Sequence, residues 1–255
     1  MHVERYGSGP VRYLGLHGWS GDHRTFAPLL PHLPLEVSFF APDLPGCGRS
    51  PAPAGWRLEA AVEEIAALIR DLADPRVTLV GNCSGGLLGL CAVRALRDSG
   101  AVGVVERIFV LDLLAYWPWY FRVFQSRTMG KYAYACAFEN PAGRWLVNAC
   151  LAGKRRAETN LTEGFDAVPS EVTRGYLKML GEIEGPEHFS GIETPITVLH
   201  GEKTFEAVRR SAKIYRRIWP QAEVRVVTGA GHLPLLEAPA EVAKWMSWRE
   251  PCKAV

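Results

Sequence analysis

Six short apolar runs recur along the chain, "VRYLGL", "VSFFAP", "VTLVG", "ERIFVLD", "PITVLHG" and "AEVRVVTGAG", rich in β-branched residues and closed by Gly, Pro, Asp or an apolar strand end. Their length and composition predict short buried strands. Between them lie helical patterns such as "LEAAVEEIAALIRDLA" and "GGLLGLCAVRALRDSG", the second closed by Gly100, which suits a helix C-terminus. Strand and helix alternate, and that alternation predicts an α/β fold with a mostly parallel sheet covered by helices on both faces. At 255 residues the chain can make one such domain, alone or carrying an insertion.

The rhythm stops at Leu113. From there to about Phe189 no strand-like run occurs, and aromatic residues crowd "YWPWYFRVFQ" and "KYAYACAFENPAGRWLV". An aromatic cluster of this kind can simply fill a core. Inserted directly after a strand end, it instead predicts a helical lid over a pocket, spanning 113–189 between core segments 1–112 and 190–255. Trp117, Trp119, Tyr120 and Phe121 are then the expected pocket residues, suited to an apolar or aromatic substrate.

Composition removes several function classes. The net charge of +2 comes from 29 basic and 27 acidic residues mixed along the chain, so nothing marks a nucleic-acid or anionic-membrane partner. The basic run "GKRRAE" reads as a solvated face. The start "MHVERYGSGP" has no apolar segment after a basic one, and no uninterrupted apolar run is long enough to span a bilayer, so the expected location is the cytoplasm. Six cysteines at positions 47, 83, 91, 136, 150 and 252 lack C-x-x-C spacing, and the histidines do not stand at ligand spacing. Most thiols are expected to be reduced, several of them simply packed, with no metal and no organic cofactor.

One of those cysteines has a special setting. "VTLVGNCSGGLLGL" is a strand, a sharp turn and a helix, the context of a nucleophile elbow with the pattern G-x-Nuc-x-G. A nucleophile held at the tip of such a turn forces backbone into close approach on either side, where only glycine fits. Gly81 and Gly85 flank Cys83 at those positions. Ser84 offers a second register, flanked by Asn82 and Gly86, with Asn the poorer fit at a crowded position.

With this elbow, the segments "LGLHGWSGDHRTFAPL", "APDLPGCGRS" and "GAGHLPLLEAP", in this order, make the chain resemble the α/β-hydrolase family over most of its length. The resemblance implies an oxyanion hole from the backbone N–H groups of Trp19 and Ser84, and a catalytic His232. It assigns His17 and Asp43 to loop support. Many relatives read "HGEKD" where this chain reads "LHGEKTFEAV", so Thr204 stands where the triad acid is expected, and threonine cannot supply the charge that orients and stabilises an imidazolium. Two replacements suggest themselves. Asp112 ends "ERIFVLD", the position from which haloalkane dehalogenases of this fold often take their acid, and Glu206 lies two residues past the vacant place; Asp112 is preferred. Dehalogenation itself is not expected, because those enzymes attack with an aspartate.

A cysteine nucleophile narrows the chemistry. A histidine-activated thiolate attacks well, but in an oxygen-ester intermediate the enzyme's own thiolate leaves more readily than an alkoxide, whereas with a thioester the two sulfurs compete evenly. The elbow "GNCSGG" is similar to those of polyhydroxyalkanoate synthases and of Cys-type thioesterases, a likeness confined to the motif. The expected activity is acyl transfer through acyl-Cys83, with hydrolysis, transfer or cyclisation of an acyl group borne by coenzyme A, an acyl carrier protein or an activated ester. A dienelactone-type lactone hydrolase is the alternative enzyme. A ligand-binding member of the fold without catalysis is the alternative class, favoured by the vacated acid position and opposed by the intact His232 loop and Cys83.

Overall fold

A computed structural model describes residues 1–126 and 128–247, so Cys252 and the end of the 190–255 segment lie outside the described residues. The β-branched runs pair into a seven-stranded sheet: β1 (Val3–Tyr6), β2 (Val11–Leu16), β3 (Val37–Pro42), β4 (Val77–Asn82), β5 (Val105–Leu111), β6 (Ile196–Gly201) and β7 (Glu223–Val227). Their order is β1-β3-β2-β4-β5-β6-β7. All neighbours are parallel except β1, which runs antiparallel to β3 from Val3 opposite Pro42 to Tyr6 opposite Phe39. The strand β1 is absent from the six runs because "VERY" is short and half polar, as an edge strand can be.

Side chains alternate across the sheet with the strand period of two. Leu79 and Val110 face one core with Ile65 and Ile69 of α1 (Leu58–Leu72) and Leu88 of α2 (Ser84–Asp98), while Val80, Phe109 and Leu111 face a second core with Phe26 and Val242. Two buried faces explain why these strands read as continuous apolar runs. The helix α2 ends as its sequence predicts: Gly100 has φ +82, its N–H donates to Arg97 O and the next N–H, of Ala101, reaches back to Leu96 O.

After β5 the chain builds α3 (Trp119–Gln125), α4 (Gly130–Tyr134) running into a π turn at Ala135–Glu139, α5 (Pro141–Cys150), α6 (Gly164–Ala167) and α7 (Ser170–Leu180), with no strand among these described residues. Asn140 caps α5 by accepting the Ala142 N–H, with Pro141 in the first turn. The indole of Trp19, on the loop after β2, packs into the aromatic rings of this segment: Phe165 at 4.7 Å, Phe138 at 5.5 Å and Phe121 at 5.9 Å between centroids. The helices therefore lie over the carboxyl ends of the parallel strands. The chain closes with α8 (Glu206–Ile218), α9 (Pro234–Glu237) and α10 (Pro239–Ser247). Among the described residues no helix is long and apolar enough to cross a membrane.

Candidate active site

Cys83 stands at the tip between β4 and α2, with φ +49, and is neither fully buried nor exposed. Its N–H donates to Leu111 O on the adjacent strand, which pins the turn. The flanking glycines are required for two different reasons. A Cβ on Gly81 would lie 2.3 Å from Gly86 Cα, whereas one on Gly85 would lie 2.2 Å from His17 O on the neighbouring loop. So Gly81 lets the elbow close on itself, and Gly85 lets it approach the loop of Trp19. The other thiols have quieter places: burial pushes Cys47 and Cys91 up to about 12, while Cys136 and Cys150 are exposed on the helical segment.

Among the described residues the non-glycine positions with positive φ are Ser20, Cys83 and Asp112. Cys83 and Asp112 each directly follow a strand end, β4 and β5, while Ser20 lies on the loop after β2. At Asp112 the turn away from β5 directs a fully buried carboxylate across the end of β6. Its Oδ1 accepts the Gly201 N–H at 2.9 Å, and its Oδ2 accepts His232 Nδ1 at 2.7 Å and the Thr204 hydroxyl. Thr204, in the place of the expected acid, thus donates to the carboxylate that follows the neighbouring strand. Glu206 is not part of this relay: it opens α8, half exposed, and its carboxylate pairs with Arg209 and Arg210, which hold its pKa down.

Cys83 lies close enough to act on the His232 ring, whose Nδ1 is committed to Asp112. Burial opposes protonation of the ring, but the hydrogen bonds to Asp112 and Cys83 outweigh it and raise its pKa to about 10. The Asp112 carboxylate thus favours the protonated ring.

Gly18 lies against the elbow: a Cβ there would be 3.2 Å from Cys83 Cβ. The Gly21 N–H closes a turn onto Gly18 O, which holds the Trp19 backbone beside Cys83. His17 braces this loop through Nδ1 to Gly18 O and by accepting the Leu44 N–H on Nε2, and burial lowers its pKa. Asp43, fully buried, accepts from the N–H groups of His23 and Arg49 and from His23 Nδ1. Both therefore serve loop geometry. His2, His23 and Asp43 are the one group of His, Cys, Asp or Glu side chains among the described residues close enough to share a cation, but these hydrogen bonds already occupy the Asp43 oxygens.

A small cavity of ≈30 Å³ opens at Cys83 and Ser84, walled by Trp19, Trp117 and Phe121. Leu87 of α2, Leu114, and Leu177 and Leu180 of α7 complete it. Trp119 and Tyr120 do not line it; they are 76% and 39% exposed. The helix α3 begins at Trp119, and at 3.6 residues per turn a residue two places before Phe121 points to the opposite side. The leucines of α7 carry a sequence signal, the i, i+3 spacing of Leu177 and Leu180 in an amphipathic pattern, but periodicity alone does not say what the buried face meets.

The alpha/beta hydrolase family matches residues 14–245 of the chain. The chain belongs to that family. Among its relatives in the family, the lipase LipV of Mycobacterium tuberculosis is 42% identical over 106 residues, and a soluble epoxide hydrolase of Corynebacterium is 30% identical over 115. These stretches span 40% and 38% of the two relatives. A pimeloyl-[acyl-carrier protein] methyl ester esterase of Klebsiella pneumoniae is 22% identical over 246 residues, covering 92% of this chain and 91% of that one. In fold, an esterase from Thermogutta terrifontis matches 96% of the chain and 90% of its own length with a TM-score of 0.72 at 21% identity.

The family's histidine loop is fastened here in a way the side chains do not announce. The His232 N–H donates to Lys154 O at 2.8 Å, and the buried carboxylate of Glu237 accepts the N–H groups of Gly231 and Arg156 (2.8 Å to the latter) and the Thr159 hydroxyl at 2.6 Å. Arg156 Nε adds a bond to Gly229 O. The run "GKRRAE" is therefore more than a solvated face: its backbone docks on the histidine loop, and the Arg155 guanidinium folds back onto the carbonyls of Arg156, Ala157 and Thr159. A Cβ on Gly231 would meet Lys154 O at 2.2 Å, so that glycine marks the close approach.

Proposed function

We propose that this hydrolase cleaves, or transfers, short apolar acyl groups from thioesters or activated esters through a covalent acyl-Cys83 intermediate. The core segments 1–112 and 190–255 supply the chemistry, and the segment 113–189 acts as the lid that shapes the pocket. The hydrogen-bonded series Cys83, His232, Asp112, set at the tip of an elbow, carries the reading.

In this mechanism Cys83 Sγ, paired with the imidazolium, attacks the acyl carbon, and the carbonyl electron pair moves to oxygen, held by the N–H groups of Trp19 and Ser84. Collapse breaks the bond to the leaving group, which takes the Nε2 proton. His232, now neutral, removes a proton from water or another acceptor as it attacks the acyl-thioester; the C–S bond breaks and the ion pair is restored. Asp112 keeps Nδ1–H oriented and balances the imidazolium throughout, with Thr204 and Gly201 holding the carboxylate still.

A thioester donor, on carrier protein or coenzyme A, suits the sulfur nucleophile, and a relative that is a methyl ester esterase of a carrier-bound acyl chain supports recognition of such chains. The test is intact mass spectrometry of the protein and of Cys83→Ala after mixing with acyl thioesters of coenzyme A. An acyl adduct on the native chain alone is expected. Turnover unaffected in Cys83→Ala rejects the assignment, and absence of both adduct and turnover turns the reading toward a ligand-binding role.

A further inference from the structure

The cavity at Cys83, at ≈30 Å³, leaves little free room beside the sulfur. An acyl group seated there can extend only a very short way beyond its carbonyl. On the far side of the same wall lies a second cavity of ≈320 Å³, bounded by Ile183, Phe189 and Tyr215 within and by Arg122 and Glu187 at its mouth. The two share four side chains, Leu87, Leu114, Trp117 and Leu180.

We propose that the two cavities are halves of one acyl channel, and that Trp117 with Leu180 forms the partition that limits the native protein to short acyl chains. This inference rests on the acyl-Cys83 reading above. All four partition side chains are apolar, so a hydrocarbon tail can cross while the amides of a carrier's pantetheine arm would be left without hydrogen-bond partners. A tail that crosses the partition meets Ile183, Phe189 and Tyr215, while Arg122, Gln125, Glu184 and Glu187 make the remainder of the outer cavity polar. The four members differ in firmness. Leu87 and Leu180 are buried on α2 and α7, and Leu114 follows the Asp112 turn, whereas Trp117 is partly exposed on the non-helical stretch before α3. Trp117 is the member whose removal opens the wall at the least cost to the core.

The experiment measures kcat/KM for N-acetylcysteamine thioesters from acetyl through butanoyl and octanoyl to dodecanoyl, in the native chain, Trp117→Ala, Leu180→Ala and, as control, the exposed Trp119→Ala. The native chain and the control should prefer acetyl to butanoyl. In Trp117→Ala the ratio of octanoyl to acetyl kcat/KM should rise roughly tenfold or more, in line with what a few methylenes in an apolar pocket discriminate; Leu180→Ala should move the order the same way. In parallel, calorimetry follows octanoate binding to Cys83→Ala with and without Trp117→Ala, where the double variant should bind more tightly. A native preference for octanoyl, or acylation whose length order is unchanged in both wall variants, overturns the channel and leaves the acyl-Cys83 reading standing. No acylation by any thioester, together with octanoate binding that tightens on removing Trp117, rejects the acyl-Cys83 reading and retains the channel.

Discussion

Cys83 stands between two unlike walls. On one side the carboxylate of Asp112 is saturated by three donors, each held by a strand end or by the turn after one. On the other the cavity is bounded by indole, phenyl and leucine side chains from α2, α7 and the stretch around α3. The polar wall is directional: every hydrogen bond has one geometry, and removing a partner leaves a buried group unsatisfied. The apolar wall is not, since hydrophobic packing tolerates changes of shape at modest cost. Substitutions on the first side should alter whether the reaction happens, and those on the second which acyl group it accepts.

Cys83→Ala should give the largest effect, a loss of activity of roughly a thousandfold or more and of every acyl adduct, read by steady-state kinetics and intact mass. Asp112→Asn should lower kcat by a factor on the order of 10² to 10⁴ while circular dichroism shows the fold intact. Its effect on pH sharpens the comparison. With the His232 pKa raised to about 10, the stability its ion pair contributes is complete below about 6.5, the free-histidine value, and is lost as pH rises through about 10. Acylation should follow the same upper limb, and in Asp112→Asn that limb should move to lower pH in a kcat/KM profile. An unshifted limb would separate Asp112 from His232.

Glu237→Gln tests a polar group one step removed from the reaction. It keeps the shape but turns an amide N–H₂ toward groups that also donate, at a cost of about 1–3 kcal/mol in urea unfolding, with a smaller fall in kcat as the His232 loop loosens. Trp119→Ala should do least, within about 0.5 kcal/mol and with unchanged kinetics, because its ring is in water. A large kinetic effect at Trp119 would break the division between the walls.

The polar wall was largely legible in the sequence. Its backbone demands are written as glycines and its chemistry as Cys, His and Asp. The choice between Asp112 and Glu206 depends on β5 pairing beside β6, with Leu111 opposite Leu199, and a linear reading of "LHGEKTFEAV" contains no such neighbour. Thr204 reads as a loss for the same reason, although its hydroxyl donates to Asp112 on the neighbouring strand end. The apolar wall was legible only as composition. "WPWYF" offers four aromatics in the five residues Trp117 to Phe121, and which of them turn inward follows from where α3 starts, a matter of one residue. Least visible was the docking of "GKRRAE", because the groups that bind there are a carbonyl and an N–H, which every residue owns.

The hydrogen bond from the His232 N–H to Lys154 O has a consequence for anyone grafting parts between members of this family. A segment attached only at its two ends, near Leu113 and Phe189, could be exchanged for another of similar span. This one is also riveted in its middle, to the histidine paired with Asp112. A chimera that replaces 113–189 must bring a carbonyl to the same point, and a hydroxyl and an N–H to Glu237, or the transplanted specificity will arrive with a displaced histidine.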